Sequence, residues 1–252
     1  MKTEGYKTIG ETQIYYEFYC DVSKDKTLVL LHEGLGSVAQ WKDIPQWLFE
    51  NTVYNILVYD RSGYGRSSMV SSDYPAEYGR YEAKQILYQL LLSLNITTCS
   101  LFGHSDGGTL ALLFAAYYPQ IVDKVITEAA HVIIEDISRK GISNIRDIYT
   151  EKLQKPLKRY HGENTDWVFY HWADTWLNPD FFDWNMLEEL QQITSPVLAI
   201  QGDKDEYGSE EQLHLIAKLC GGQTSLITNC GHHPHFQQRN EVLTLILEFL
   251  KS

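Results

Sequence analysis

The chain lacks most of the features that would assign it at a glance. Its 252 residues include four cysteines, Cys20, Cys99, Cys220 and Cys230, without C-x-x-C spacing and without disulfide density. That excludes a cysteine-stapled secreted scaffold and reads as reduced thiols. No apolar run reaches the ~20 residues needed to span a bilayer. The opening "MKTEGYKTIGETQ" has no apolar core of the kind a signal peptide carries. A cytoplasmic protein with no membrane partner is expected. Positive charge is scarce: 21 Lys and Arg stand against 33 Asp and Glu, a formal net charge of −12. That balance is spread along the chain and would repel a phosphate backbone, so nucleic acid is not an expected partner. There is no internal repeat, low-complexity tract or phosphate loop. The "GLGS" at 34–37 lacks the third glycine and the distant acid of a dinucleotide fingerprint. His232, His233 and His235 lie close together, but Pro234 and the want of a nearby ligand set argue against a metal. Neither metal nor cofactor is expected.

What is present is an ordinary globular composition, 44% hydrophobic and 21% charged, with a clear rhythm. Apolar or alternating runs at 13–20, 26–32, 53–60, 98–105 and 123–130 read as strands. Helical patterns fall at 39–51, around Pro45, and at 77–94 and 108–119. From His131 to about Leu190 no clear buried strand appears, only helical stretches, charges and rings. After Pro196 the alternation returns: strands at 196–202 and 223–228, helices at 209–220 and 240–252. Strands alternating with helices imply a mostly parallel sheet covered on both faces. Residues 1–130 and 191–252 would form that core, with 131–190 inserted over one end of it.

Within the rhythm, "LFGHSDGGTLALLFAA" (101–116) concentrates glycine where a strand runs into a helix. Gly103-His104-Ser105-Asp106-Gly107 fits G-x-S-x-G, and the strand-to-helix setting is the one that motif requires. At such an elbow a serine is held in a strained turn with its hydroxyl lifted clear of the sheet. The flanking glycines avoid clashes with the tight backbone. A glycine-rich turn carrying a casual serine is the bland alternative; the flanking elements favour a nucleophile. A serine hydroxyl needs a base, and the base an orienting carboxylate. In this kind of sheet the order is serine, acid, histidine. The acids on offer are Asp203, Asp205 and Glu206 in "AIQGDKDEYG"; the histidines are His232, His233 and His235 in "NCGHHPHF". Developing negative charge on the substrate oxygen needs two backbone donors. One would come from Asp106, the residue after the serine, the other from the loop "LLHEGLGS" (30–37).

The stretches "LLHEGLGS", "VYDRSGYGRSS", "LFGHSDGGTLAL", "VLAIQGDKDEYG" and "GHHPHF" together resemble a small, capped α/β-hydrolase of the serine-nucleophile type, over essentially the whole chain. The resemblance implies an α/β-hydrolase fold with a helical cap, residues 131–190, inserted after the sixth strand. It implies the triad Ser105, Asp205 and His232, through Gly-x-x-Asp after Gly202 and the first histidine of Gly-His-x-Pro. In "DRSGYGRS" it gives Asp60 and Arg61 a structural role. One departure stands out: the family's His-Gly-x loop here reads His32-Glu33-Gly34-Leu35. Gly34 supplies the second amide if Glu33 is not an insertion, and Leu35 if it is. Glu33 would oppose catalysis if its carboxylate faced the site. It is expected to turn away to a buried partner, or to meet His131 or Arg61.

Nine of the 25 residues from Tyr160 to Trp184 are aromatic, against 13% for the whole chain. In an insertion over the sheet, that density reads as a lid with apolar walls. Most rings would fix the lid to the core and a few would touch substrate; Trp172 and Trp176, with His104 and His131, are the pocket candidates. The basic run 152–161 reads as a solvated face. The expected activity is cofactor-independent hydrolysis of a small apolar or aromatic ester, lactone or related carbonyl compound, by a monomer or homodimer. The alternatives are a lyase or cofactor-free oxidative enzyme on the same fold, or a ligand sensor that keeps the triad.

Overall fold

The computed structural model describes residues 1–70 and 77–251; Ser252, the last residue of the expected closing helix, lies outside them. Eight strands form one sheet: β1 Lys2–Ile9, β2 Thr12–Tyr19, β3 Lys26–Leu31, β4 Tyr54–Tyr59, β5 Cys99–His104, β6 Val122–Glu128, β7 Val197–Gly202 and β8 Gln223–Ile227. Their spatial order is β1-β2-β4-β3-β5-β6-β7-β8. The pairings of β1 with β2 and β2 with β4 are antiparallel, and all the others are parallel. β3, β4, β5 and β7 are buried at nearly every position, which is why each reads as an unbroken apolar run.

The chain leaves β3 toward one edge and returns at β5 to build toward the other. Strand order therefore reverses between β3 and β5, and a crevice opens beyond their carboxyl ends. Leu31 pairs with Gly103, so the loop after β3 and the elbow after β5 emerge side by side. The helix after the elbow, α4 (Asp106–Tyr117), is buried from Asp106 to Ala116. Its sequence is apolar on every side, as a helix enclosed by sheet and neighbours must be.

Helices α1 (Ile44–Asn51), α2 (Tyr78–Tyr81) and α3 (Tyr88–Ser93) precede α4, and α9 (Glu211–Cys220), α10 (Pro234–Gln237) and α11 (Arg239–Lys251) close the chain. Between β6 and β7 come α5 (Asp136–Asp147), α6 (Gln154–His161), α7 (Thr165–Leu177) and α8 (Leu187–Leu190). This stretch has its own apolar cluster, built from Ile134, Ile142, Tyr149, Leu157, Phe169, Ala173 and Trp176, with Leu35 and Tyr207 of the strand-end loops packed against it.

Three differences from the sequence reading have physical causes. β1 was not anticipated: "KTEGYKTI" is an edge strand whose side chains are mostly solvated, so it carries almost no apolar signal. The helix expected over 39–51 is two pieces, because Lys42 sits at φ 54° between a short 3-10 turn, Val38–Trp41, and α1. The helix expected over 77–94 contains a π-helical stretch, Glu82–Leu87, between α2 and α3.

Candidate active site

Ser105 sits between β5 and α4 at φ 53° and ψ −119°, a region costly for any residue with a side chain. Its N–H donates to the Glu128 carbonyl at 2.7 Å, which ties the turn to β6. The glycines explain themselves sterically. A Cβ at Gly103 would lie 2.1 Å from the Gly107 carbonyl oxygen, and one at Gly107 would lie 2.0 Å from that of Leu31. The turn closes only because neither residue has a side chain.

The acid and the histidine arrive from loops after β7 and β8. His232 Nδ1 lies 2.9 Å from both carboxylate oxygens of Asp205, and His232 Nε2 lies 2.8 Å from Ser105 Oγ. A carboxylate only accepts, so Nδ1 carries the proton and Nε2 is left to accept from the serine hydroxyl. Asp205 also accepts from Gln201 Nε2 at 2.6 Å and from the Tyr207 N–H at 2.9 Å. Burial works against its charge, but His232, the Tyr207 N–H and His131 hold its carboxyl below the usual range. The other acids stand elsewhere. Asp203 is exposed and accepts from the Cys230 N–H, and Glu206 is exposed. His235 is buried against Glu128, with Nδ1 to Oε2 at 2.5 Å.

A cavity of about 200 Å³ opens above Ser105. Its walls include Gly34, Leu35, Asp106, His131, Trp172 and Trp176, so six of the sequence-derived site residues are brought together around the serine. Trp172 overhangs the loop after β3: a Cβ at Gly34 would lie 2.3 Å from its Nε1. His131 Nε2 donates to the Tyr207 carbonyl, 3.0 Å away, and its ring lies 5.2 Å from that of Trp176.

His104 is a correction. It was expected in the substrate pocket, but it lines a separate cavity of about 280 Å³ with His32, Trp41, His233 and His235. Successive side chains at a strand end point to opposite sides, so His104 and Ser105 cannot face the same space. For Glu33, two of the three expected partners are corrected, and the turn toward another group is what the structure has. Its carboxylate meets neither His131 nor Arg61 but faces His233 Nε2 at 3.6 Å. Burial would raise the Glu33 carboxyl, yet His233, with His104 and His232 behind it, holds it down at about 2.

What Arg61 holds is the backbone of Glu33. Arg61 Nη2 donates to the Glu33 carbonyl at 2.8 Å, and Nη1 donates to Asp106 Oδ2 at 2.9 Å. The same Glu33 carbonyl also lies 2.8 Å from His32 Nδ1 and accepts from the Gly36 N–H at 3.1 Å. Asp106 Oδ2 accepts in addition from Tyr78 OH at 2.6 Å, and Tyr78 OH accepts from Trp176 Nε1 at 3.0 Å. One buried guanidinium thus joins the backbone of the loop after β3 to the side chain of the residue after the serine, and a hydrogen-bonded chain runs on to α7. The sequence reading had passed over Tyr78 and Gln201. Gln201 carried a signal: an amide in the apolar strand "PVLAIQG" needs a buried partner.

Residues 26–147 match the family model described as the alpha/beta hydrolase fold. The human serine hydrolase BPHL is 27% identical over 241 residues, covering 90% of this chain and 80% of that protein. A proline iminopeptidase of Saccharolobus solfataricus is 26% identical, covering 98% of this chain and 92% of that protein. Among solved structures, the enol-lactonase from Burkholderia xenovorans LB400 superposes with a TM-score of 0.78 at 15% identity, covering 98% of this chain and all of that one. With its sheet order and the reversal that opens the crevice, this chain has the α/β-hydrolase fold.

Proposed function

We propose that the protein is a serine hydrolase that cleaves a small ester, lactone or related carbonyl compound through an acyl-enzyme. The hydrolase class itself is common to the similar proteins. The finer reading is carried by one observation, the unbroken line from Asp205 through His232 to Ser105 Oγ. In this reading His232 Nε2 takes the hydroxyl proton as Ser105 attacks the carbonyl carbon. Asp205 fixes the tautomer and stabilises the imidazolium. His232 then returns the proton to the leaving oxygen. Water, deprotonated by the same nitrogen, attacks the acyl group and frees Ser105.

The tetrahedral oxyanion would be held by the N–H groups of Asp106 and Gly34. Asp106 is the first residue of α4, so its N–H has no partner within the helix. Gly34 is preferred to Leu35 on a peptide-plane argument. In a trans peptide C=O and N–H point in opposite directions. The Glu33 carbonyl is turned into the protein by Arg61, so the Gly34 N–H of the same peptide is turned outward, in a residue that lines the Ser105 cavity. Arg61 would then be a positioning residue for both donors.

Residues 131–190 would act as a cap that chooses the substrate. Ile142, Ile145, Leu153, Leu157, Trp172 and Trp176 line the cavity. Its size and apolar walls favour a compact acyl group.

The test is covalent trapping. A fluorophosphonate should add one adduct mass, on the peptide that carries Ser105, and Ser105→Ala should neither label nor turn over small esters. Labelling at another residue, or undiminished turnover in the alanine variant, would overturn the assignment.

A further inference from the structure

Three residues that adjoin the site in sequence bring their side chains together beside the Ser105 cavity, in a second cavity that all three line. Glu33 precedes Gly34, His104 precedes Ser105, and His233 follows His232. One ligand atom from each of Glu33, His104 and His233 lies within 4.8 Å of the other two. The sequence alone could not assemble this set, because its members are some 70 and 129 residues apart along the chain. The want of nearby ligands was the argument against a metal, and the fold removes it.

The chemistry of the set is specific. Two imidazoles and one carboxylate are a zinc-type donor set that leaves a fourth position open. His104 is oriented from behind: its Nε2 lies 2.6 Å from the His232 carbonyl. With that nitrogen engaged, Nδ1 is the one left to a ligand, and a backbone carbonyl on the far nitrogen is the usual outer support of a metal-bound histidine. Glu33 Oε1 and His233 Nε2 stand 3.6 Å apart, close to the edge of a tetrahedron with bonds of about 2.0–2.1 Å. His104 is buried, while His233 and Glu33 are partly exposed. The two partly exposed ligands have room to adjust toward the buried one. The cavity of about 280 Å³ that all three line gives an ion its way in.

We propose that Glu33, His104 and His233 form a site for a divalent cation of the zinc class, and that its occupation inhibits the enzyme. An ion there ties together the loop after β3, the end of β5 and the loop that carries His232. The ring of His104 is 5.3 Å from that of His232, and the ring of His233 is 5.6 Å from it. An ion would draw Glu33 and His233 toward His104, and with them the loops that carry Gly34 and His232, out of the alignment that the Asp205–His232–Ser105 line requires. The inhibition rests on the triad reading above; the binding does not.

The experiment titrates the purified protein with Co²⁺ and Zn²⁺. Co²⁺ should give the visible absorption of a tetrahedral site at one equivalent, displaced by Zn²⁺. His233→Ala and Glu33→Gln, each checked for an unchanged circular dichroism spectrum, should lose that band. In parallel, saturating Zn²⁺ should slow ester turnover of the wild type at least ten-fold, reversibly on chelation, and leave the turnover of His233→Ala within two-fold of its own metal-free rate. Absence of the band from the wild type, or its persistence in both variants, would overturn the site. Binding without inhibition would overturn the inhibitory role alone. Loss of all ester turnover in metal-free wild type would count against the hydrolase reading and leave the absorption result standing.

Discussion

Two cavities lie back to back at the carboxyl ends of β3 and β5, and neighbouring residues serve different ones. The Ser105 cavity is roofed by aliphatic side chains and indoles from the β6–β7 stretch. The His104 cavity is walled mainly by imidazoles and residues of the loop after β3. Glu33 and His233 line both. A one-residue step at the end of β5 decides which chemistry a side chain joins. Apolar walls surround one hydroxyl; clustered imidazoles concentrate lone pairs. The nature of each space follows from the alternation of the strand more than from local composition.

The comparison is broken most severely from the Ser105 side. Asp205→Asn would leave the shape but offer His232 the wrong partner, and kcat is expected to fall on the order of 10⁴-fold. Asp203→Asn, two residues away and solvated, should cost under three-fold. Steady-state kinetics on both folded variants decides it, and the reverse ranking would mean that the acid has been misassigned.

Arg61 comes next. Its loss removes one of three partners of the Glu33 carbonyl and leaves Tyr78 OH on the Asp106 carboxylate, so the proposed oxyanion donors should be held less firmly; the upper bound is the loss of one such donor, about 10²–10³ in kcat. Because Arg61→Ala also leaves the Asp106 carboxylate buried without its cation, the variant is expected to be less stable. The informative readout is rescue. Guanidinium ion at concentrations that leave the variant folded should restore part of kcat, with little change in KM. A variant that stays folded, loses activity and gains nothing from guanidinium would assign Arg61 a packing role only.

The smallest effect sharpens the contrast. Trp172→Ala should shift the ratio of kcat/KM between small and bulky esters by roughly 1–3 kcal/mol, the usual range for reshaping an apolar pocket. Tyr160→Ala, which alters the wall of the other cavity, should leave that ratio unchanged. Equal shifts from the two would show that the cavities are not independent for substrate choice.

The interior strands and the elbow were legible because burial leaves a strong imprint. β3, β5 and β7 need apolar residues on both faces, and the turn around Ser105 needs glycines where backbone touches backbone. Ser105 and Asp205 follow such strands; His232 follows β8, an edge strand that is mostly exposed, and its place rests on the Gly-His-x-Pro stretch instead. What escaped was either solvated or assembled across distance. β1 is polar because it lies at an edge. The π-helical stretch Glu82–Leu87 leaves the side-chain pattern nearly helical, so nothing in the residues announces it. The partners of Arg61 and the grouping of Glu33 with His104 and His233 depend on three loops meeting, which no spacing encodes.

The backbone of Ser105, at φ 53°, has a consequence for how such a chain drifts. Glycine would occupy that conformation without cost, whereas serine is retained against a local penalty of about 1–3 kcal/mol. Substitutions that favour stability alone would thus remove the proposed nucleophile. In a lineage released from selection for activity, position 105 should be among the first of the buried positions to change, and the fold should grow more stable as it does.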